Sequence, residues 1–271
     1  MSTDKLAVEN SDNEVMFNYI LKHYWDFIPV REPHTIYSSA FFEKLKHFVG
    51  LLASTNEAEA KQAINRLLTK AVCNGESYKL IVQLLDKLLN DKTVLTRNEN
   101  LGIHLLEQAE ASYLFSDEEK KGYKKKKALI ELNKVGTTAK GLLLETPNKE
   151  DLKLSQIHTE YIILYFFDPT NDACKQNTIF LQHNPFISLA LTEKRLKILA
   201  IYTKNNYEAW HKWAVSETKW THGWDKNNTI KNKNLYDLST LPTIYLLDKN
   251  KKVLMKECNT EQLNSFFEKF C

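Results

Sequence analysis

The sequence predicts two domains of different class: an all-helical domain over residues 15–132, then an α/β domain over 136–271 with a mixed sheet and helices on both faces. Three observations carry this reading. The chain has 271 residues, more than one domain usually takes at ~100–200 residues each. Its first half repeats apolar residues at helical spacing. Its second half holds the near-continuous apolar runs Tyr161–Phe167 and Leu196–Tyr202, which suit strands covered on both faces.

In the first half, Phe17, Ile20, Leu21, Tyr24 and Trp25 give one apolar helix face within Val15–Phe27, which Pro29 and Pro33 then interrupt. A second helix fits 38–53, with Ser38 or Ser39 as its cap and a stripe of Phe41, Phe42, Leu45, Phe48, Val49 and Leu52. A third fits 57–73, with Asn74-Gly75 as its end. Helices over 76–90 and 99–115 follow. Residues 117–132 are highly charged and contain Lys124–Lys127. Four adjacent lysines on a helix point in several directions, and Asp117, Glu118 and Glu119 cancel much of their field. The run therefore reads as solvated surface, with an anionic partner as the other reading.

Gly136 begins the change of composition. Leu142–Leu144 reads as a short strand, Pro147–Lys149 as a turn, and Asp151–Ile157 as a passage into a short helix or turn. Asp168-Pro169-Thr170-Asn171 breaks the strand Tyr161–Phe167, and a helix starts at Asn171 or Asp172 and runs to Phe180 or Leu181. Tyr207–Val215 is helical. Thr243–Leu247 and Lys252–Lys256 pair as a hairpin about Asp248-Lys249-Asn250, and Glu261–Phe270 closes the chain as a helix. Two strand-then-helix units, a hairpin and a last helix make a mixed sheet.

Several function classes lack support. With 37 basic and 34 acidic residues the net charge is +3, no footprint for nucleic acid. No apolar run reaches the ~18 residues of a transmembrane helix, and no apolar stretch follows Met1–Lys5 to act as a secretory signal. The histidines form neither H-E-x-x-H nor a Cys/His cluster, the glycines form no phosphate loop, and no serine sits in G-x-S-x-G. No metal and no cofactor are expected. Asp168 and Asp172 read as electrostatic support for a helix start rather than as a catalytic acid pair. Cys73, Cys174, Cys258 and Cys271 are widely separated, so a disulfide scaffold is not expected; the terminal Cys271 is the thiol suited to adventitious intermolecular pairing.

Two segments choose among α/β folds: Tyr165–Lys175, and Tyr236–Asp248 with its Leu241-Pro242-Thr243 core. The first resembles the strand-to-helix junction of the thioredoxin superfamily, in the branch of thiol-disulfide oxidoreductases of the TlpA/ResA kind and of peroxiredoxins. The second resembles that family's proline loop and hairpin, which implies a cis bond at Pro242. With Trp210-x-x-Trp213 and the Trp220–Trp224 stretch, the chain from about Asp26 onward is similar to exported Bacteroidetes proteins in which a helical domain of unknown function precedes a thioredoxin-like domain. The resemblance implies a periplasmic or envelope location.

It also implies a loss. The two cysteines of the family's C-x-x-C fall on Asn171 and Cys174, so an amide stands where the attacking thiol belongs and Cys174 holds the resolving position. Disulfide exchange starts with a thiolate, which the helix N-terminus favours at the first position; an amide cannot attack sulfur, although it can cap the helix. Three readings of Cys174 stay open: a small buried side chain, a reactive single thiol, or a partner of Cys73 or Cys258. A non-catalytic binding or structural role is expected, with a single-thiol oxidoreductase as the alternative. A protein or peptide partner is expected near Asn171, Pro242 and the Trp210–Trp224 region. His211 and His222 lie among those tryptophans, whose other reading is core and rim packing.

Overall fold

The computed structural model describes residues 15–270 apart from 93, 95, 217 and 218. Cys271 and the polar N-terminal segment lie outside the described residues. The chain divides into two compact units, Met1–Ile130 and Glu131–Cys271.

The first unit is helical among its described residues. It runs α1 (15–23), α2 (Pro33–Ile36), α3 (Ser39–Leu52), α4 (Glu57–Ala71), α5 (Gly75–Asn90), α6 (Glu99–Ala111) and α7 (Asp117–Glu131). The short α2 has no counterpart in the sequence reading, in which Pro33 only interrupts; proline at a first helical position has no N–H to lose. Ser38, Asn56, Asn74 and Asn98 each accept a backbone N–H three residues on, capping α3 to α6. Asn74 therefore opens α5 instead of ending α4, and Gly75 is the first residue of α5. The core joins Trp25, Phe41 and Phe48 to the inner faces of α4, α5 and α6. In the lysine run, Lys126 pairs with Asp86 and Lys127 lies 3.4 Å from Glu107, while Lys124 and Lys125 are exposed.

The second unit is one seven-stranded sheet in the order β2-β1-β5-β4-β3-β6-β7. Its strands are β1 (Leu143–Glu145), β2 (Asp151–Lys153), β3 (Tyr161–Phe167), β4 (Leu196–Tyr202), β5 (Thr221–Trp224), β6 (Thr243–Asp248) and β7 (Val253–Lys256). β3, β4 and β5 run parallel and the other pairings are antiparallel, so the sheet is mixed. Alternate residues of β3 enter two separate cores: Ile163, Tyr165 and Phe167 face one, Ile162, Leu164 and Phe166 the other. The remaining helices are α8 (Asp172–His183), α9 (Pro185–Thr192), α10 (Tyr207–Ser216), α11 (Thr229–Asn232) and α12 (Thr260–Phe270).

Four of these elements differ from the sequence expectation, the first being β2, a strand paired with β1 where the sequence reads as a passage into a short helix or turn. α9 starts at Asn184, which caps it, with Pro185 at its first position; Asn184 also donates to Asn264 of α12 at 2.7 Å. β5 is only Thr-His-Gly-Trp, without an apolar run to announce it. Glycine is required within it, because a Cβ on Gly223 would stand 2.5 Å from Leu144 Cδ1. α11 is held by the buried Asp225, whose carboxylate accepts the N–H groups of Thr229 and Ile230 at 2.8 and 2.9 Å.

Candidate functional site

The end of β3 and the start of β6 meet in register, Phe166 opposite Thr243, so the loop after β3 and the loop before β6 share one end of the sheet. At that end Asp168 forms a turn: its Oδ1 accepts the backbone N–H and the hydroxyl of Thr170 at 2.9 and 2.7 Å. The turn delivers Asn171 to the start of α8 in extended conformation, φ −84° and ψ 129°. Asn171 Oδ1 then accepts the N–H of Cys174 at 3.0 Å. In the loop before β6 the Leu241–Pro242 peptide bond is cis.

Asn171 is exposed, whereas Cys174, three residues on, is fully buried. Cys174 Sγ accepts the N–H of Asp168 at 3.4 Å, and its carbonyl accepts the Tyr165 hydroxyl at 2.6 Å. Burial pushes the Cys174 thiol up; the Asp168 N–H opposes this, while the Asp168 charge adds to it. A thiol reacts as its thiolate, so this environment makes Cys174 a poor nucleophile at neutral pH. Tyr165 is raised by its burial as well. Asp172 is exposed, bonded to Lys175 at 2.7 Å, and held below the usual carboxylate range by that lysine. It supports the helix start and has no second acid beside it in that bond.

The possible pairing of Cys174 with Cys73 or Cys258 does not occur. All three are free: Cys73 is exposed in the helical unit, and Cys258 is buried with its Sγ 3.5 Å from the Ile244 carbonyl on β6. Burial raises the Cys258 thiol to about 12. Cys174 and Cys258 enter the same core cluster from different elements.

The tryptophans divide between core and rim. Trp210 and Trp220 are buried, and Trp213 and Trp224 are half-buried. Trp213 reaches the site end: its ring lies 4.3 Å from that of Phe167, 5.9 Å from Trp220 and 5.0 Å from the buried His222. Trp224 donates its indole N–H to the Lys204 carbonyl at 2.8 Å. His211 sits beside Tyr207, ring centroids 5.2 Å apart. The sequence reading missed Tyr165 and Asp168 as the groups that hold Cys174. The Asp-Pro-Thr-Asn turn pointed to Asp168, but a tyrosine inside an apolar strand gives no sign of where its hydroxyl ends.

Comparisons agree with this architecture. Residues 9–133 match the family described as a domain of unknown function, DUF5106. A thioredoxin-like protein from Bacteroides caccae is similar over nearly the whole length, with 29% identity, 95% of this chain and 94% of that chain covered, and a TM-score of 0.87. The C-terminal domain of an uncharacterized Bacteroides fragilis protein is 36% identical over 50% of this chain and 98% of its own, TM-score 0.49. A domain of a possible thiol-disulfide isomerase from Cytophaga hutchinsonii is 26% identical over 51% of this chain and 92% of its own, TM-score 0.43. No curated protein matches the chain. The chain combines a helical domain of the DUF5106 type with a thioredoxin-like domain, the arrangement it shares over nearly its whole length with the thioredoxin-like protein of Bacteroides caccae.

Proposed function

We propose that the thioredoxin-like domain works as a binding or structural domain without dithiol chemistry. One observation carries this: Asn171, the position that the family resemblance assigns to the attacking thiol, spends its side-chain oxygen capping α8 on the N–H of Cys174. The amide keeps the helix start in place and removes the nucleophile. The remaining sulfur is buried and its thiol raised, which argues against exchange through Cys174 alone. The loops around Asn171 and Pro242, with Trp213 nearby through Phe167, are the surface on which a protein or peptide partner would dock.

Insulin reduction in dithiothreitol tests the reading. The wild-type chain and a Cys174→Ala variant are expected to give the same rate as dithiothreitol alone; a rate that rises with the wild type and falls with the variant would sink it. We also propose that the protein is periplasmic or associated with the cell envelope, as its resemblance to exported Bacteroidetes proteins implies. No helix among the described residues is long and apolar enough to cross a membrane. Cell fractionation should recover the protein with periplasmic or envelope markers, and recovery with cytosolic markers would refute the location.

A further inference from the structure

The helical unit carries a cleft in which three buried donors lack acceptors among the described residues. On α4, Gln62, Asn65, Arg66, Thr69 and Lys70 recur at helical spacing and form a polar face opposite the buried stripe Ala60, Ala63, Ile64, Leu67, Leu68 and Ala71. Against this polar face lies Trp25, 2% exposed, in the turn after α1. Together with Lys22, His23 and Asp26 they line a cleft of about 560 Å³, within the size range of small-ligand sites.

Two features give the cleft a chemical preference. The Trp25 indole N–H and the Arg66 Nε and Nη2 groups are buried without a hydrogen-bond partner among the described residues. Nε and Nη2 form one edge of the guanidinium, the edge that pairs side-on with a carboxylate. The Glu59 carboxylate stands 3.9 Å from Nη2, beyond hydrogen-bond length. Asn65 accepts from His104 on its Oδ1 at 2.8 Å, and its Nδ2 carries two donors.

The second feature is charge. Asp26, the one acidic side chain of the lining, is answered by His23 at 2.7 Å and Lys70 at 2.9 Å. Lys70 also donates to the Trp25 carbonyl at 3.0 Å, which fixes the turn against α4. Lys22 is exposed at the rim, and Arg66 has Glu59 at 3.9 Å, a loose pair that leaves its Nε–Nη2 edge without a direct acceptor among the described residues. A cationic ligand would be repelled by Arg66 and Lys22, and a neutral acceptor would answer the buried donors without balancing the guanidinium charge; a carboxylate does both.

We propose that this cleft binds a small organic carboxylate, with its oxygens on the Arg66 edge and the Trp25 N–H and its apolar body filling the cleft. Every lining residue belongs to the helical unit. Trp25 is the only tryptophan before residue 210, so in the full chain labelled with ¹⁵N-tryptophan its indole signal is assigned by its absence in Trp25→Phe. Benzoate should shift that signal saturably and leave the four signals of Trp210–Trp224 in place. The neutral isostere benzamide should bind at least ~10-fold more weakly, as should Arg66→Met towards benzoate, a difference of about 1.4 kcal/mol. Lys22→Met, an exposed change, should weaken benzoate by ~2–3-fold and serves if Arg66→Met fails to fold. A Trp25 signal unmoved at ~20 mM benzoate, equal response to benzamide, or a response to inorganic phosphate alone would overturn the proposal.

Discussion

Replacing Asn171 by cysteine restores C-x-x-C at the start of α8, and two opposing effects set the stability of the variant. It loses the bond from the Cys174 N–H to Asn171 Oδ1, 3.0 Å long. Loss of an N-cap of this kind costs about 1 kcal/mol, within roughly 0.5–2. Closing a disulfide between positions three apart constrains the unfolded chain by about 2 kcal/mol in the chain-entropy account. The reduced variant should thus be about 1 kcal/mol less stable than wild type, and the oxidised variant about 1 kcal/mol more stable. Urea unfolding followed by tryptophan fluorescence, with and without reductant, measures both, and intact mass reports the loss of two hydrogens on oxidation. The exposed sulfur at 171 over the buried sulfur at 174 should also give the variant a measurable rate in the insulin assay. A folded variant that keeps two free thiols at these positions under oxidised glutathione would refute the reasoning, because Cys174 would then not face the helix start as a resolving thiol does.

Single contacts elsewhere in the chain have their own measurable consequences. Tyr165→Phe removes the hydroxyl that serves the buried Cys174 carbonyl and should destabilise the chain by about 1–3 kcal/mol in urea, with no loss detected if the carbonyl finds another donor. Lys194 follows the end of α9 with φ 60°, a left-handed position, so Lys194→Gly should stabilise by roughly 1 kcal/mol; a loss of stability would contradict the backbone account. Glu119 accepts the Ser116 N–H and bonds Lys79, which together hold its carboxyl at about 2. Its pKa is lowered by folding, so its contribution is present above the ordinary carboxylate value and is lost as pH falls towards about 2. A carboxyl-carbon NMR titration of Glu119 should show that low midpoint, and an ordinary midpoint near ~4.3 would remove the capping role.

The elements with strong periodicity were legible, those set by single contacts were not. The apolar runs of β3 and β4 and the stripe of α3 announce themselves, because burial on two faces or on one stripe leaves a long-range pattern. β5 hides because Gly223 is chosen for the approach of Leu144 and leaves no apolar run. α9 and α11 hide because their starts are set by Asn184 and Asp225, polar residues that read as loop until the N–H groups they accept are known. At the site, the Asn171 cap follows from its position before Asp172, whereas the burial of Cys174 depends on Tyr165, Asp168 and the core around them. The cleft of the helical unit left only half a sign: the polar spacing on α4 is visible, but the burial of Trp25 against it is tertiary.

The central claim is that Cys174 is an inert thiol beneath a capping amide. Its most direct test is the rate of maleimide labelling at Cys174 in the native chain, followed by peptide mass spectrometry across pH, with the exposed Cys73 as the internal reference. Labelling of Cys174 should lag far behind Cys73 at neutral pH and rise only above the ordinary thiol value of about 8.5. Labelling as fast as that of Cys73, with a midpoint below neutrality, would contradict the account and make Cys174 a working nucleophile.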